Sequence, residues 1–368
     1  MSGGLRIARL FGIPVYLHPT WLIVFLLITL GLSGSLAQQH PDWSPALRLP
    51  LAAGTSILFF ASIVAHELGH SVVAQRRRVP VRSITLFVFG GVALLERDPD
   101  TPRAEFEIAL AGPLVSGVLA GLFALLTRAS PAGSAAASLF GWLMTINGLV
   151  AVFNLLPGFP LDGGRVLRAL LWARGGDPAR ATRVAAGVGQ ALAYGFIALG
   201  AVEFLVLGSF AGGLWTAFIG WFLLSASGAT IRQAAVEDSL RGLAARDVME
   251  ADLAQVDAAT SVARFAREHV MRGHRWALVE QAGQVLGIVT LTDVKRVPPE
   301  AWDTTQVGQV ATPLTALVTA APDVPVRDIL QTMGERNLNQ IPIVDGQRFL
   351  GAVTRAGLVQ ALELRRAV

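Results

Sequence analysis

His66, Glu67 and His70 stand together in an otherwise apolar stretch, two histidines four residues apart with a glutamate beside the first. On a helix, residues i and i+4 lie one above the other, so both imidazoles can face one ion. Glu67 points about a quarter-turn away, where a carboxylate can take a proton from water held on that ion. Three ionisable groups inside an apolar helix are expensive and mark function more often than packing. The plainer alternative is a histidine pair hydrogen-bonded to neighbouring helices.

A catalytic zinc takes three protein ligands and keeps one position open. The chain has no Cys, which excludes disulfides, thiolate sites and cysteine nucleophiles and leaves His, Asp or Glu as the third ligand. Of the other histidines, His40 falls in an outer loop and His269 and His274 in a soluble part. His18, in the first span, suits packing or interfacial placement better than a cavity lining. Among the carboxylates Asp162 stands out, because it closes a charge-free run over 129–161. The Pro and Gly residues between Asn154 and Asp162 break a helix where a ligand has to turn inward. The alternatives are an N-cap role for Asp162 on a helix over Arg165–Trp172 and interhelical hydrogen bonding for Asn154.

The elements that carry these residues read as membrane spans. Of 368 residues, 53% are hydrophobic and only 15% charged, against about a quarter charged in a soluble domain. Residues 1–235 hold 16 Arg and 10 Asp or Glu, whereas 236–368 hold 14 basic and 16 acidic residues. The first part therefore reads as lipid-embedded and the second as a soluble appendage. About 20 apolar residues cross a bilayer. Charge-free runs place six spans, near 16–36, from 49 to Arg76, over 108–127, 135–155, 184–202 and 204–231. The apolar run after the basic start is too long for a signal-peptide core and reads as a retained first span. Arg6, Arg9, Arg76, Arg77, Arg78 and the Arg residues between 165 and 183 all fall on one face, which makes both termini cytoplasmic. The net charge of +4 fits these topology signals rather than a nucleic-acid surface. Between Arg78 and Glu105, β-favouring residues around Gly90-Gly91 predict a short hairpin at the cytoplasmic interface, its turn on the two glycines, shielded by protein or facing a water-filled cavity.

The apolar His-Glu-x-x-His in an early span, joined to the downstream Asn154-x-x-Pro-x-x-Pro-Leu-Asp162-Gly motif, resembles the site-2 protease family of intramembrane zinc metalloproteases (M50-type). Glu105–Ser116 is similar to that family's third span, and the likeness covers about 10–230. The resemblance implies that His66, His70 and Asp162 bind one zinc ion per chain and that Glu67 is the catalytic base. By it Asn154 stabilises the oxyanion or positions substrate, a role that interhelical bonding rivals. It also implies regulated intramembrane proteolysis of single-span membrane proteins, in the cell membrane of a prokaryote. A helical substrate has to unwind to expose its scissile bond, and the Val81–Leu95 hairpin supplies an edge for the extended chain.

From about 244 a repeat of roughly 60 residues begins, each copy running strand, helix (Ser261–Met271; Val326–Arg336), two strands and a final helix. The repeat resembles a tandem pair of CBS domains, a module that often binds adenine nucleotides. Thr290 and Asp293 match the family's ribose-contacting pair; in the second copy Thr354 is retained but Gly357 replaces the acid. A structural or dimerising role is as consistent with the repeat as ligand sensing. The expected organisation is a polytopic α-helical membrane domain with a short membrane-associated β-hairpin over 1–235, a linker over 236–243, and α/β CBS domains over 244–298 and 305–364. Two other readings are a CBS-gated transporter or channel, with the buried His and Glu as an ion path, and an inactive relative serving as a membrane scaffold. The metal-ligand spacing joined to Asp162 argues against the first, and retention of Glu67 against the second.

Overall fold

A computed structural model describes residues 4–358 and 361, apart from 89, 252, 272–275, 347 and the side chain of 237. The chain divides into two compact units, over 1–234 and 235–368.

The first unit opens with strands, which the sequence does not predict and which reach just into the span expected near 16–36. β1 (Leu5–Leu10) and β2 (Ile13–Leu17) form a hairpin in which Leu10 pairs with Ile13. Phe11 and Gly12 both take positive φ, 50° and 80°, as a two-residue turn that matches strand twist requires. The first span, α1 (Trp21–Gln39), starts only after this hairpin. α2 (Pro45–Arg76) follows, then the expected hairpin of β3 (Val81–Phe87) and β4 (Gly90–Leu95). Gly90 and Gly91 open β4 rather than making the turn, since Gly90 pairs with Phe87 and Gly91 with Leu86. β3 lies parallel to β2 and antiparallel to β4, giving one sheet in the order β1-β2-β3-β4 with β4 at an edge. Ile13, Val15 and Ile84 are buried together with Leu68 of α2 against them, so protein shields one sheet face.

α3 (Pro102–Ala129), α4 (Ala135–Asn154), α5 (Asp162–Gly175), α6 (Pro178–Leu205) and α7 (Phe210–Ser239) complete the unit. Their starts are written locally. Thr101 Oγ1 accepts from Ala104 N–H ahead of Pro102, Ser134 Oγ from Ala137 N–H, and Asp177 from Ala179 N–H ahead of Pro178. Among the described residues six helices, α1, α2, α3, α4, α6 and α7 as far as Val236, are long and apolar enough to cross a membrane. Leu22, Leu26 and Leu30 of α1 and Leu114, Val118, Leu122 and Leu125 of α3 are exposed stripes of large apolar residues, as expected where hydrocarbon is the solvent. α5 is shorter, carries Arg165, Arg168 and Arg174, and ends in a left-handed Gly176. α3 packs against α2, α4 and α5 and is the hub of the unit.

The second unit holds two similar copies. The first contains α8 (Ala245–Val248), β5 (Gln255–Asp257), α9 (Val262–Phe265, continued by a wider turn to Val270), β6 (Trp276–Gln281), β7 (Gln284–Thr290) and α10 (Leu291–Arg296). The second contains α11 (Val307–Val310), β8 (Thr312–Pro313), α12 (Val326–Glu335), β9 (Gln340–Asp345) and β10 (Arg348–Thr354). There are two apolar cores, one centred on Phe265 and Val289, which takes in Val307 of α11, and one on Ile329 and Ile343, which takes in Ala245 and Val248 of α8. The copies also exchange edges. β8, which precedes α12, pairs with β7 of the first copy, while Glu250, between α8 and β5, pairs with Ala352 in β10 of the second. His274 and the last residues of the expected second copy, 362–364, lie outside the described residues.

Candidate active site

The last turns of α2 carry His66 and His70 into a space closed by α3 and the start of α5. His66 Nε2 and His70 Nε2 lie 3.2 Å apart, and each lies 3.2 Å from Asp162 Oδ2. Zinc bonded to nitrogen and oxygen at about 2.0–2.1 Å in tetrahedral array spaces its ligand atoms ~3.3 Å apart. The triangle thus has the size of one face of a zinc tetrahedron. The three side chains are 6%, 12% and 18% exposed, buried enough to exclude bulk water while leaving one side open.

Outer contacts fix which nitrogens face inward. His70 Nδ1 lies 2.7 Å from the Ile108 carbonyl oxygen, which can only accept; Nδ1 therefore carries the proton and the Nε2 lone pair points into the triangle. His66 Nδ1 lies 2.8 Å from Ser116 Oγ, a hydroxyl that can serve the same purpose. Ile108 and Ser116 both belong to α3, and so does Gly112, between them. A β-carbon there would collide with His70 Nε2 and come within 2.6 Å of His66 Nε2. The residues and their surroundings fit a divalent ion.

Asp162 is the first residue of α5, preceded by Leu161 at the cap position. Its carboxylate turns to the imidazoles instead of back onto its own helix, so the N-cap alternative fails. Burial alone would raise its pKa, but the hydrogen bonds and charge of the two histidines outweigh it and hold the carboxyl well below the usual carboxylate range. The loop ahead of it is strapped to the α6–α7 hairpin. Phe159 N–H donates to Ala185 O at 3.3 Å, and buried Ser227 Oγ donates to Phe159 O. Only a glycine at 189 admits this, since a β-carbon would collide with Phe159 O.

Glu67 stands beside the triangle, and its Oε2 accepts the Ala93 N–H of β4 at 3.1 Å. The hairpin thus orients the candidate base, a role that the sequence reading missed. Asn154 ends α4, and its Nδ2 donates to Val150 O of the same helix at 3.0 Å; among the described residues no hydrogen bond joins it to the triangle or to another helix. His18 Nδ1 meets Thr20 Oγ1 at 2.8 Å, where β2 passes into α1. His40 stacks on Trp43 and its Nε2 meets Ser138 Oγ at 3.1 Å. His269 stacks on Phe265 in the second unit.

In the second unit Thr290 and Asp293 are engaged with each other. Thr290 Oγ1 and N–H both donate to Asp293 Oδ2, at 2.7 and 2.9 Å, as a capping box at the start of α10. Thr290 also borders a cavity of about 230 Å³, with Thr312, Leu317, Asn339 and Pro342. In the second copy Thr354 Oγ1 donates to Glu250 Oε1 at 2.7 Å. A β-carbon on Gly357 would collide with that same oxygen. The acid missing at 357 is thus supplied by Glu250, through the edge exchange, which a residue-by-residue comparison of the copies does not reveal.

Comparison with known proteins agrees with this layout. The profile of peptidase family M50 matches 54–131 and 121–196, and the CBS domain profile matches 245–300 and 307–364. The chain is 33% identical over 374 residues to the zinc metalloprotease sll0528 of Synechocystis sp., covering 100% of this chain and 97% of that protein. It is 36% identical over 372 residues to the zinc metalloprotease Rip3 of Mycobacterium tuberculosis, covering 100% and 94%. Among solved structures, the site-2 protease from Methanocaldococcus jannaschii is 30% identical with a TM-score of 0.44, covering 62% of this chain and 95% of that one.

Proposed function

The chain belongs to peptidase family M50, the site-2 protease family of intramembrane zinc metalloproteases, and from that premise we propose that His66, His70 and Asp162 hold its zinc and that Glu67 is its general base. The observation that carries this is the 3.2 Å triangle of Nε2, Nε2 and Oδ2 atoms. Held by these three residues, zinc would supply a water acidified towards ~7 and a Lewis acid for the peptide carbonyl. Glu67, steadied by Ala93 N–H, takes the proton of the attacking water and returns it to the leaving amine. Asp162 and the two imidazoles, locked by Ile108 O and Ser116 Oγ, keep the ligand atoms pointed inward. Asn154 enters as a substrate-positioning or oxyanion group by resemblance alone; its Nδ2 gives one N–H to Val150 O and has a second to offer.

The substrates we propose are single-span membrane proteins, cut inside the bilayer after local unwinding. β4 suits the unwound segment. Glu96 N–H faces Pro80 O, inward, while Ala93 N–H faces Glu67, outward, so the odd-numbered residues of β4 point their N–H groups to the open edge. A substrate strand added there lies beside the base and the triangle.

In the second unit, an adenine nucleotide is proposed at the cleft bordered by Thr290. Calorimetric titration of AMP into the whole protein tests this, with one saturable site expected and no heat sinking it. At the other cleft Thr354 is already taken by Glu250.

The ion-path reading has no use for three ligand atoms at zinc spacing. The decisive experiment is Glu67→Gln in the purified protein. Cleavage of a single-span substrate should be lost while one zinc per chain is retained by elemental analysis. Retained cleavage would overturn the assignment of the base.

A further inference from the structure

Glu105 and Arg168 do not touch the metal triangle, yet they are charged groups buried between helices. Glu105, in the first turn of α3, is 1% exposed, and neither of its carboxylate oxygens makes a hydrogen bond. Arg168 of α5, 16% exposed, brings Nη1 to 3.1 Å from Glu105 Oε1. Arg165 and Arg168 each also lie 4.0 Å from Asp98, a largely exposed carboxylate. Stability does not explain the inner pair, because a buried ion pair is often matched or bettered by apolar residues of similar volume.

Its position does explain it. Glu105, Ile108, Gly112 and Ser116 are spaced by three, four and four residues, and over that stretch an α-helix returns to within ~20° of the same face. That single stripe of α3 holds the His70 Nδ1 proton through Ile108 O, the His66 ring through Ser116 Oγ, and room for both Nε2 atoms at Gly112. Glu105 extends the stripe to α5, the helix whose first residue is Asp162. The other approach to Asp162 is tied by Ser227 to Phe159 O. Asp162 therefore sits between two anchors, with Arg168 about 9 Å further along its helix.

Resting on the reading of His66, His70 and Asp162 as the metal ligands, we propose that the Glu105–Arg168 pair is a positioning device that sets the register of α5 against α3 and so delivers the Asp162 carboxylate to the two imidazoles. Neither residue is catalytic; each acts through the placement of Asp162.

The test uses the full chain in detergent, with zinc affinity measured by competition against a chromophoric chelator and ligand geometry by the visible absorption of bound cobalt(II). Arg168→Met should weaken zinc binding about tenfold or more, as loss of outer support for a ligand does, and should alter the cobalt bands. Arg168→Lys should recover most of the affinity. The paired replacement Glu105→Leu with Arg168→Met should melt like the parent yet keep the weakened zinc binding, which separates positioning from stability and decides the matter if the single variant fails to fold. Parental affinity and cobalt spectrum in the paired variant would overturn the proposal. Asp162→Ala distinguishes the underlying reading: if it binds zinc as tightly as the parent, the metal assignment itself falls, and the pair's role with it.

Discussion

The first atoms that a methyl group on Gly112 meets are the tips of two imidazoles, His70 Nε2 and Cε1 and His66 Nε2. Rings can rotate away, and Ala is the better helix former by about 1 kcal/mol. Gly112→Ala should therefore leave the metal-free protein at least as resistant to heat as the parent while zinc affinity falls about a hundredfold, since the ligand set is spoiled. Parental affinity in that variant would mean that the rings do not hold the ion where they stand. The same residue shows what a sequence discloses. His66, Glu67 and His70 are readable because their geometry is local to two helical turns, and Asp162 because the Pro and Gly residues before it halt a helix. Gly112, Ser116 and the Ile108 carbonyl act across some 40–50 residues of chain through backbone proximity, and nothing in their types announces it.

At the scale of elements, apolar length made the six spans legible, while the β1–β2 hairpin, which leads into the first of them, was not read. Arg6 and Arg9 break any clean alternation in β1, which leaves the turn-favouring Gly12 as its one local signal, and a search for span-length runs passes over it. That hairpin matters because β2 braces β3, which in turn presents β4 as a free edge beside Glu67. Proline at Leu95 tests the edge. By the alternation along β4 the Leu95 N–H faces outward, away from the β3 ladder, so its removal spares the sheet and deprives an added strand of one donor. Leu95→Pro should cut the rate on a single-span substrate about tenfold, the worth of one ~1.4 kcal/mol contact, with zinc content unchanged. An undiminished rate would remove β4 as the docking edge. Glu250 makes the parallel point for the second unit. The Gly at 357 reads as a lost acid until the edge exchange brings a carboxylate from over a hundred residues away onto Thr354.

For the whole molecule, the deciding numbers are six spans and the uneven placement of Arg. An even count returns the chain to its starting side, and α2 ends at Arg76 in a run of three Arg residues, a concentration that marks the cytoplasmic face. His70 lies six residues before Arg76, about 9 Å along the helix, so a cytoplasmic Arg76 would put the triangle in the leaflet nearest that face, with water entering from there. The C-terminal unit should lie on the same side as β1. The absence of Cys makes single introduced cysteines clean reporters. Asp42→Cys and Ala132→Cys, exposed positions between α1 and α2 and between α3 and α4, should react with a membrane-impermeant maleimide in intact cells. Gln284→Cys, exposed on β7, should react only once the membrane is opened. Labelling of Gln284→Cys in intact cells would put the CBS pair outside and, with it, invert the side from which water and any nucleotide approach the protein.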